Sequence, residues 1–219
     1  MDPDTACAIY RRLSKHYPIV GGRTNFIPFD NPFESLILTI LSAQTTDRSV
    51  TAVRDALFSR YPTPEALAAA SPAEVEPIIR TIGFHHAKAA YIVGTAQKIV
   101  ESFGGEVPRT MDELRSLPGV GRKTANIVLS HAFGINIGIA VDTHVKRVSH
   151  RLGMTDSRNP DIIERDLMAL LPEGTWGEVN YLLIRHGREI CTARNPQHDA
   201  CFLRDLCRYY AEEVRAKSP

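Results

Sequence analysis

Apolar residues recur along this chain at intervals of three and four, the spacing of one helical face. From Pro3 to about His16, the residues Ala6, Ile9, Tyr10 and Leu13 form such a face. After a loop opening at Gly21-Gly22-Arg23, Asn31-Pro32 supplies an N-cap and a first-turn proline. Phe33 to Leu41 is almost wholly apolar, the pattern of a buried helix. The next helix carries Val50, Val53, Leu57 and Tyr61 inward. Thr63-Pro64 and Ser71-Pro72 start two more, and Ser71 with Glu74 forms a capping box. Pro77 is expected to end or bend that short helix. Thr81 to His86 is expected to be a loop ahead of a long helix, about Ala87 to Phe103. Thr110 with Glu113 is a further capping box. Val141, Val145, Val148 and Leu152 form a stripe; Asn159-Pro160 starts a helix with Ile163, Leu167, Leu170 and Leu171 inward; Trp176 to Ile190 is another helix. No stretch alternates strictly, so the fold class is all-α, with about ten helices on short connections.

At 219 residues and 43% hydrophobic, the chain can bury a core in one or two domains. It has no run of about 18 apolar residues, so no membrane span is expected. Its N-terminus places acids ahead of any apolar stretch, unlike a secretory or transit peptide, so a cytoplasmic location is expected. The net charge is only +1, yet from Arg115 to Arg151 there are six Lys or Arg and one acid, Asp142. Such a concentration of positive charge is the footprint of a polyanion partner.

That basic stretch opens with Leu117-Pro118-Gly119-Val120-Gly121, followed at once by an amphipathic run beginning Arg122-Lys123-Thr124. Glycines allow a sharp turn and close approach to a ligand, and a helix starting there leaves N–H groups that favour an anion such as a phosphate. A surface turn between helices is the plainer alternative. Asp142, in Val141-Asp142-Thr143-His144, is a good start for a second helix.

Leu-Pro-Gly-Val-Gly-Arg-Lys-Thr-Ala resembles the helix-hairpin-helix of the endonuclease III family of DNA glycosylases, and Val-Asp-Thr-His-Val-x-Arg matches its acidic segment. The resemblance runs over nearly the whole chain. It implies two helical domains flanking a DNA cleft: a six-helix barrel with the hairpin at 25–134, and a discontinuous domain of 1–24 and 135–219 with a C-terminal iron–sulfur-type loop. Lys123 would lie at the cleft's edge, with Asp142 facing it. It implies that both are catalytic, in a bifunctional glycosylase and abasic-site lyase that removes damaged pyrimidines. A lysine amine can attack the sugar and form a Schiff base, and a carboxylate can take its proton and stabilise the sugar cation. The amine must be deprotonated to attack, which burial, Arg122 and the helix N-terminus would favour. The alternatives are a phosphate-binding role for Lys123 and a plain cap for Asp142.

The same resemblance makes Gln44, in Leu-Ser-Ala-Gln, the side chain that fills the gap left by a flipped nucleotide, and Phe84 an apolar wedge. Gly119, Gly121, Arg122, Thr124 and His144 are the further DNA contacts, though a structural histidine fits His144 as well. The implied partner is duplex DNA with a damaged base or abasic site, bound by a monomer associated with the nucleoid. A monofunctional mismatch or oxidised-purine glycosylase, a non-catalytic hairpin module and a redox sensor remain as alternatives.

Three of the four cysteines fall in the last 29 residues, which in a reducing compartment points to metal. The family's cluster motif has four cysteines with gaps of six, two and five residues; Cys191, His198, Cys201 and Cys207 reproduce those gaps with histidine second. A [4Fe–4S] cluster with His198 in place of a cysteine, a zinc ion and an empty site all fit this set. Asp199 is a conceivable substitute ligand. Arg188 and Arg194 would bring the loop to phosphate or, equally, lie on a solvated surface, and Cys7 is expected to be a small buried hydrophobe.

Overall fold

The structure is a computed structural model that describes residues 1–20 and 24–214. All regular elements among them are helical, and no helix is long and apolar enough to cross a membrane. The chain divides into two compact units, one of Asn25–Ile135 and one of Met1–Thr24 with Asn136–Pro219.

The first unit holds α2 (Pro32–Ser42), α3 (Asp47–Arg60), α4 (Pro64–Ala68), α5 (Pro72–Ile79), α6 (His85–Phe103), α7 (Met111–Arg115) and α8 (Arg122–Phe133). Helix α2 is almost wholly buried, and Leu36, Ile37, Leu38, Ile40 and Leu41 are enclosed as α3, α6 and α8 pack around it. Burying each such side chain contributes roughly 1.5–3 kcal/mol. Its start is set by Asn31, whose Oδ1 accepts from the Glu34 N–H at 2.9 Å, with Pro32 in the first turn. Ser71 caps α5 together with Glu74, whose carboxylate accepts from the Ser71 N–H at 2.8 Å.

Three local expectations need correction. Pro77, expected to end or bend α5, does not end it at once: the helix runs two residues further, to Ile79. Helix α6 begins at His85 rather than Ala87, because Phe84 takes a left-handed conformation, φ 60° and ψ 31°, that turns the chain directly into the helix. Glu113 does not close a full capping box: its carboxylate takes the Thr110 hydroxyl, at 2.7 Å, while Thr110 caps its N–H.

The second unit joins α1 (Pro3–His16) to α9 (Thr143–Leu152), α10 (Pro160–Leu170) and α11 (Trp176–Glu189). Ile9, Leu13, Val145, Val148, Leu152, Ile163, Leu167 and Leu182 are buried within it, whereas Cys7 and Leu170 are only half-buried. Short 3-10 turns lie at Glu173–Thr175 and Arg204–Leu206, and a π-helical turn at Tyr210–Val214.

Candidate functional site

The turn between α7 and α8 is docked on α6 by residues with no evident role in the sequence. Thr95 donates its hydroxyl to the Pro118 carbonyl at 2.7 Å, and Lys98 donates to the Ser116 carbonyl at 2.8 Å. Gly119 has φ +74°, and a Cβ there would lie 3.0 Å from Tyr91 Cβ and Cγ. Glycine is therefore required at 119 twice over, by conformation and by space. Gly121 has φ −92°, and a Cβ there would meet nothing within 4 Å, so only an incoming ligand would need it to be glycine. As the N-cap of α8, Gly121 supplies no side-chain hydrogen bond. Helix geometry gives first-turn N–H groups no intrahelical acceptor, and the start of a helix favours an anion. Arg122 and Thr124 are half-buried in that turn, and Lys123 is exposed.

Two loops of the same unit present the expected DNA probes. Gln44 and Phe84 are the two non-glycine residues with positive φ among the described residues, at 54° and 60°. Left-handed backbone costs an ordinary residue about 1–2 kcal/mol. Both side chains are exposed, Phe84 at 67%. The loops are neighbours: a Cβ on Gly83 would lie 3.9 Å from the Gln44 carbonyl oxygen.

Lys88, one turn into α6, ties the two loops together. It is 4% exposed, and its Nζ donates to the carbonyls of Leu41 and Ala43 at 2.9 and 2.7 Å and to Thr45 Oγ1 at 2.7 Å. These acceptors bracket Gln44 and include carbonyls at the end of α2, where a cation is favoured. Desolvation lowers the Lys88 pKa. Sequence reasoning missed it; the available signal was a lysine sharing a helical face with Ile92.

In the other unit, Asp142 caps α9, its Oδ1 accepting from the Val145 N–H at 2.8 Å. Asn180 donates to the Ala140 carbonyl at 2.7 Å and fixes the approach to that cap. His144 is half-buried with Nδ1 3.2 Å from Arg147 Nη2, and burial lowers its pKa. Two cations of the basic stretch act within the fold. Arg147 donates to the carbonyls of Gly187 and Cys191, and Arg151 donates to those of Thr192 and Ala193 at 2.7 and 2.9 Å. They pin the start of the cysteine loop to α9.

Cys191, His198, Cys201 and Cys207 line one cavity with His186, Arg151, Tyr209 and Tyr210. Cys201 Sγ lies 3.7 Å from His186 Nε2, Cys207 Sγ donates to the Arg151 carbonyl at 3.5 Å, and Arg151 Nη1 donates to Cys191 Sγ at 3.4 Å. Burial pushes the Cys201 and Cys207 thiols up, so a metal centre must displace their protons. Among the described residues, the group of ligand-type side chains with donor atoms all within 4.8 Å of one another is Glu76, His85 and His86; the cysteine set is more widely spaced. A shared cavity with donors too spread for one ion suits a multi-atom cluster better than a single zinc, whose ligands crowd at roughly 2.0–2.3 Å. The three cysteines fit a [4Fe–4S] cluster. Asp199 does not substitute: it is fully exposed, 3.5 Å from Arg204.

Comparisons with known proteins agree with this arrangement. Residues 37–173 match the model of the HhH-GPD superfamily base excision DNA repair proteins, and residues 191–207 match the iron–sulfur binding domain of endonuclease III. The chain is 51% identical to endonuclease III of Synechocystis sp. over 89% of its own length and 88% of that relative. It is 44% identical to endonuclease III of Thermotoga maritima, over 91% of each. A solved structure of a trapped endonuclease III–DNA covalent intermediate, an estranged-adenine complex, superposes with a TM-score of 0.90 at 39% identity, over 98% of this chain and 100% of that one. The chain belongs to the endonuclease III family within the HhH-GPD superfamily of base excision DNA repair proteins.

Proposed function

We propose that this chain is a bifunctional DNA glycosylase and abasic-site lyase of base excision repair, removing oxidised or damaged pyrimidines. It acts as a monomer in the cytoplasm on duplex DNA of the nucleoid. The observation that carries the reading is the pairing of two strained, exposed probes, Gln44 and Phe84, on neighbouring loops locked by Lys88. Stored backbone strain of this kind is favoured where a side chain must be presented to a ligand.

Phe84 wedges a base step and Gln44 fills the gap as the damaged nucleotide turns out of the stack, at a cost of a few kcal/mol. The hairpin turn grips a backbone phosphate through the first N–H groups of α8, with Gly119, Gly121, Arg122 and Thr124 shaping the approach. DNA covering the exposed Lys123 removes water from its amine. Lys123 Nζ then attacks C1′ as the bond to the base breaks. Asp142 takes the amine's proton and stabilises the positive charge that develops on the sugar. The sugar ring opens to an imine on Lys123. Loss of the C2′ proton expels the 3′ phosphate and nicks the strand, and water releases the lysine. His144, close to Asp142 at the start of α9, contacts DNA or the flipped nucleotide. Cys191, His198, Cys201 and Cys207 would hold a [4Fe–4S] cluster, which would stiffen the loop that Arg147 and Arg151 anchor, and Arg188 and Arg194 would bring that loop to phosphate.

The test is a duplex carrying one oxidised pyrimidine, with base release and strand nicking measured together. Both should occur, and both should be absent on the intact duplex. Base release without nicking would replace this reading with a monofunctional glycosylase. Binding with neither would leave a non-catalytic module.

A further inference from the structure

Glu76, His85 and His86 have no part in the function proposed above. We propose that they form a binding site for a divalent transition-metal ion, Zn²⁺ by preference, at the root of the turn that presents Phe84. Their three donor atoms lie within 4.8 Å of one another, and Glu76 Oε2 is already 2.7 Å from His86 Nδ1. The imidazoles of His85 and His86 are also close, with ring centroids 4.1 Å apart. This convergence follows from the early start of α6. The left-handed Phe84 brings both histidines into the first helical turn, opposite the C-terminal half of α5, which carries Glu76.

The donor set selects the ion. Two neutral imidazoles and one carboxylate suit zinc and its neighbours, and they suit calcium or magnesium poorly, since those ions demand oxygen ligands. Tetrahedral zinc with ligands at about 2.0–2.2 Å needs these donors drawn together by small side-chain rotations. A fourth position remains for water. The His86 side chain is 74% exposed and that of Glu76 29%, so an ion enters from solvent without opening the fold. The positive end of α6 opposes a cation. The Glu76 carboxylate offsets that opposition, with its Oε2 already 2.7 Å from His86 Nδ1.

The bound ion would cross-link α5 to α6 around residues 77–84, closing a short loop with Phe84 at its end. Fixing the ends of such a loop reduces the freedom of the turn.

Zn²⁺ alone, titrated by calorimetry into the full chain carrying its iron–sulfur cluster, tests the site. Wild type should take up one more equivalent than H86A, and E76Q should bind that equivalent at least tenfold more weakly. Zinc held by the cysteine loop would persist in both variants and so would not mimic the result. Saturating Zn²⁺ should also raise the Tm of wild type and not that of H86A. Both changes are at the surface, and unchanged melting in the absence of zinc shows the variants are folded. Equal zinc uptake and equal affinity in all three proteins would overturn the proposal.

Discussion

Replacing Lys88 by methionine keeps much of the side chain's length and apolar stem while removing the ammonium. Three hydrogen bonds vanish: to the Leu41 carbonyl at 2.9 Å, to the Ala43 carbonyl at 2.7 Å and to Thr45 Oγ1 at 2.7 Å. The bond to Leu41 is buried, so its carbonyl is stranded at a cost of about 1–3 kcal/mol. The other two acceptors are partly buried and regain water, and the relieved desolvation of the ammonium offsets part of the loss. The net destabilisation is about 1–2 kcal/mol, or a fall in Tm of roughly 2–8 °C for a chain this long. Gln44 loses its anchors as well. Its left-handed backbone costs about 1–2 kcal/mol and relaxes once nothing holds it. Affinity for a duplex with a non-cleavable abasic-site analogue should then drop about tenfold, equivalent to 1.4 kcal/mol. Calorimetric melting and fluorescence anisotropy measure the two effects separately. A Tm within about 1 °C of wild type would refute the energetic account of Lys88. A lowered Tm with unchanged affinity would refute its link to Gln44.

The two hairpin glycines should separate fold from binding. Gly119→Ala places a methyl 3.0 Å from Tyr91 at φ +74° and should cost about 2 kcal/mol or more in urea denaturation. Gly121→Ala meets nothing within 4 Å, so stability should stay within about 0.5 kcal/mol while DNA affinity falls. Asp142→Asn keeps a good cap for α9 and should leave stability nearly unchanged, yet slow base release by about 10²–10⁴-fold in single-turnover assays. An equal loss of affinity would make Asp142 a structural cap alone. Burial pushes the His131 imidazole from 6.5 down to about 4, so the unfolded chain takes up this proton first. Stability is therefore full above pH 6.5 and is lost as pH falls towards 4, by about 2–3 kcal/mol from this group, which is partly buried. Urea denaturation of His131→Gln at both pH values should show a smaller difference. His198→Cys should retain the cluster and lower its reduction potential, read by voltammetry; an unchanged potential would remove His198 from the shell.

The helices were legible because their signals are local. Prolines in the first turn with Asn31, Thr63, Ser71 and Asn159 ahead of them marked four starts, and apolar spacing marked the buried faces. The start of α6 was missed because its cap is a backbone conformation at Phe84 rather than a polar side chain. The same holds for Gln44, since nothing in either residue type announces a positive φ. Lys88 was invisible for another reason: a lysine on a helix ordinarily marks the solvent face, and only three acceptors brought from the end of α2 make its burial tolerable. The concentration of charge in the basic stretch points to a polyanion partner, but it does not reveal that Arg147 and Arg151 are bonded to carbonyls distant in sequence. The hairpin and the cysteine spacing were legible as motifs. The work that Tyr91, Thr95 and Lys98 do beneath the hairpin depends on packing and had no such mark.

The central claim is that Lys123 is the nucleophile. Borohydride reduction traps an imine between a lysine and an abasic sugar, so wild type and Lys123→Ala should be compared on duplex DNA with one abasic site. Lys123 is exposed, so the variant should fold and bind as wild type does. A covalent adduct in wild type and none in the variant is the predicted result. An adduct of equal yield in both, or in neither, would contradict it.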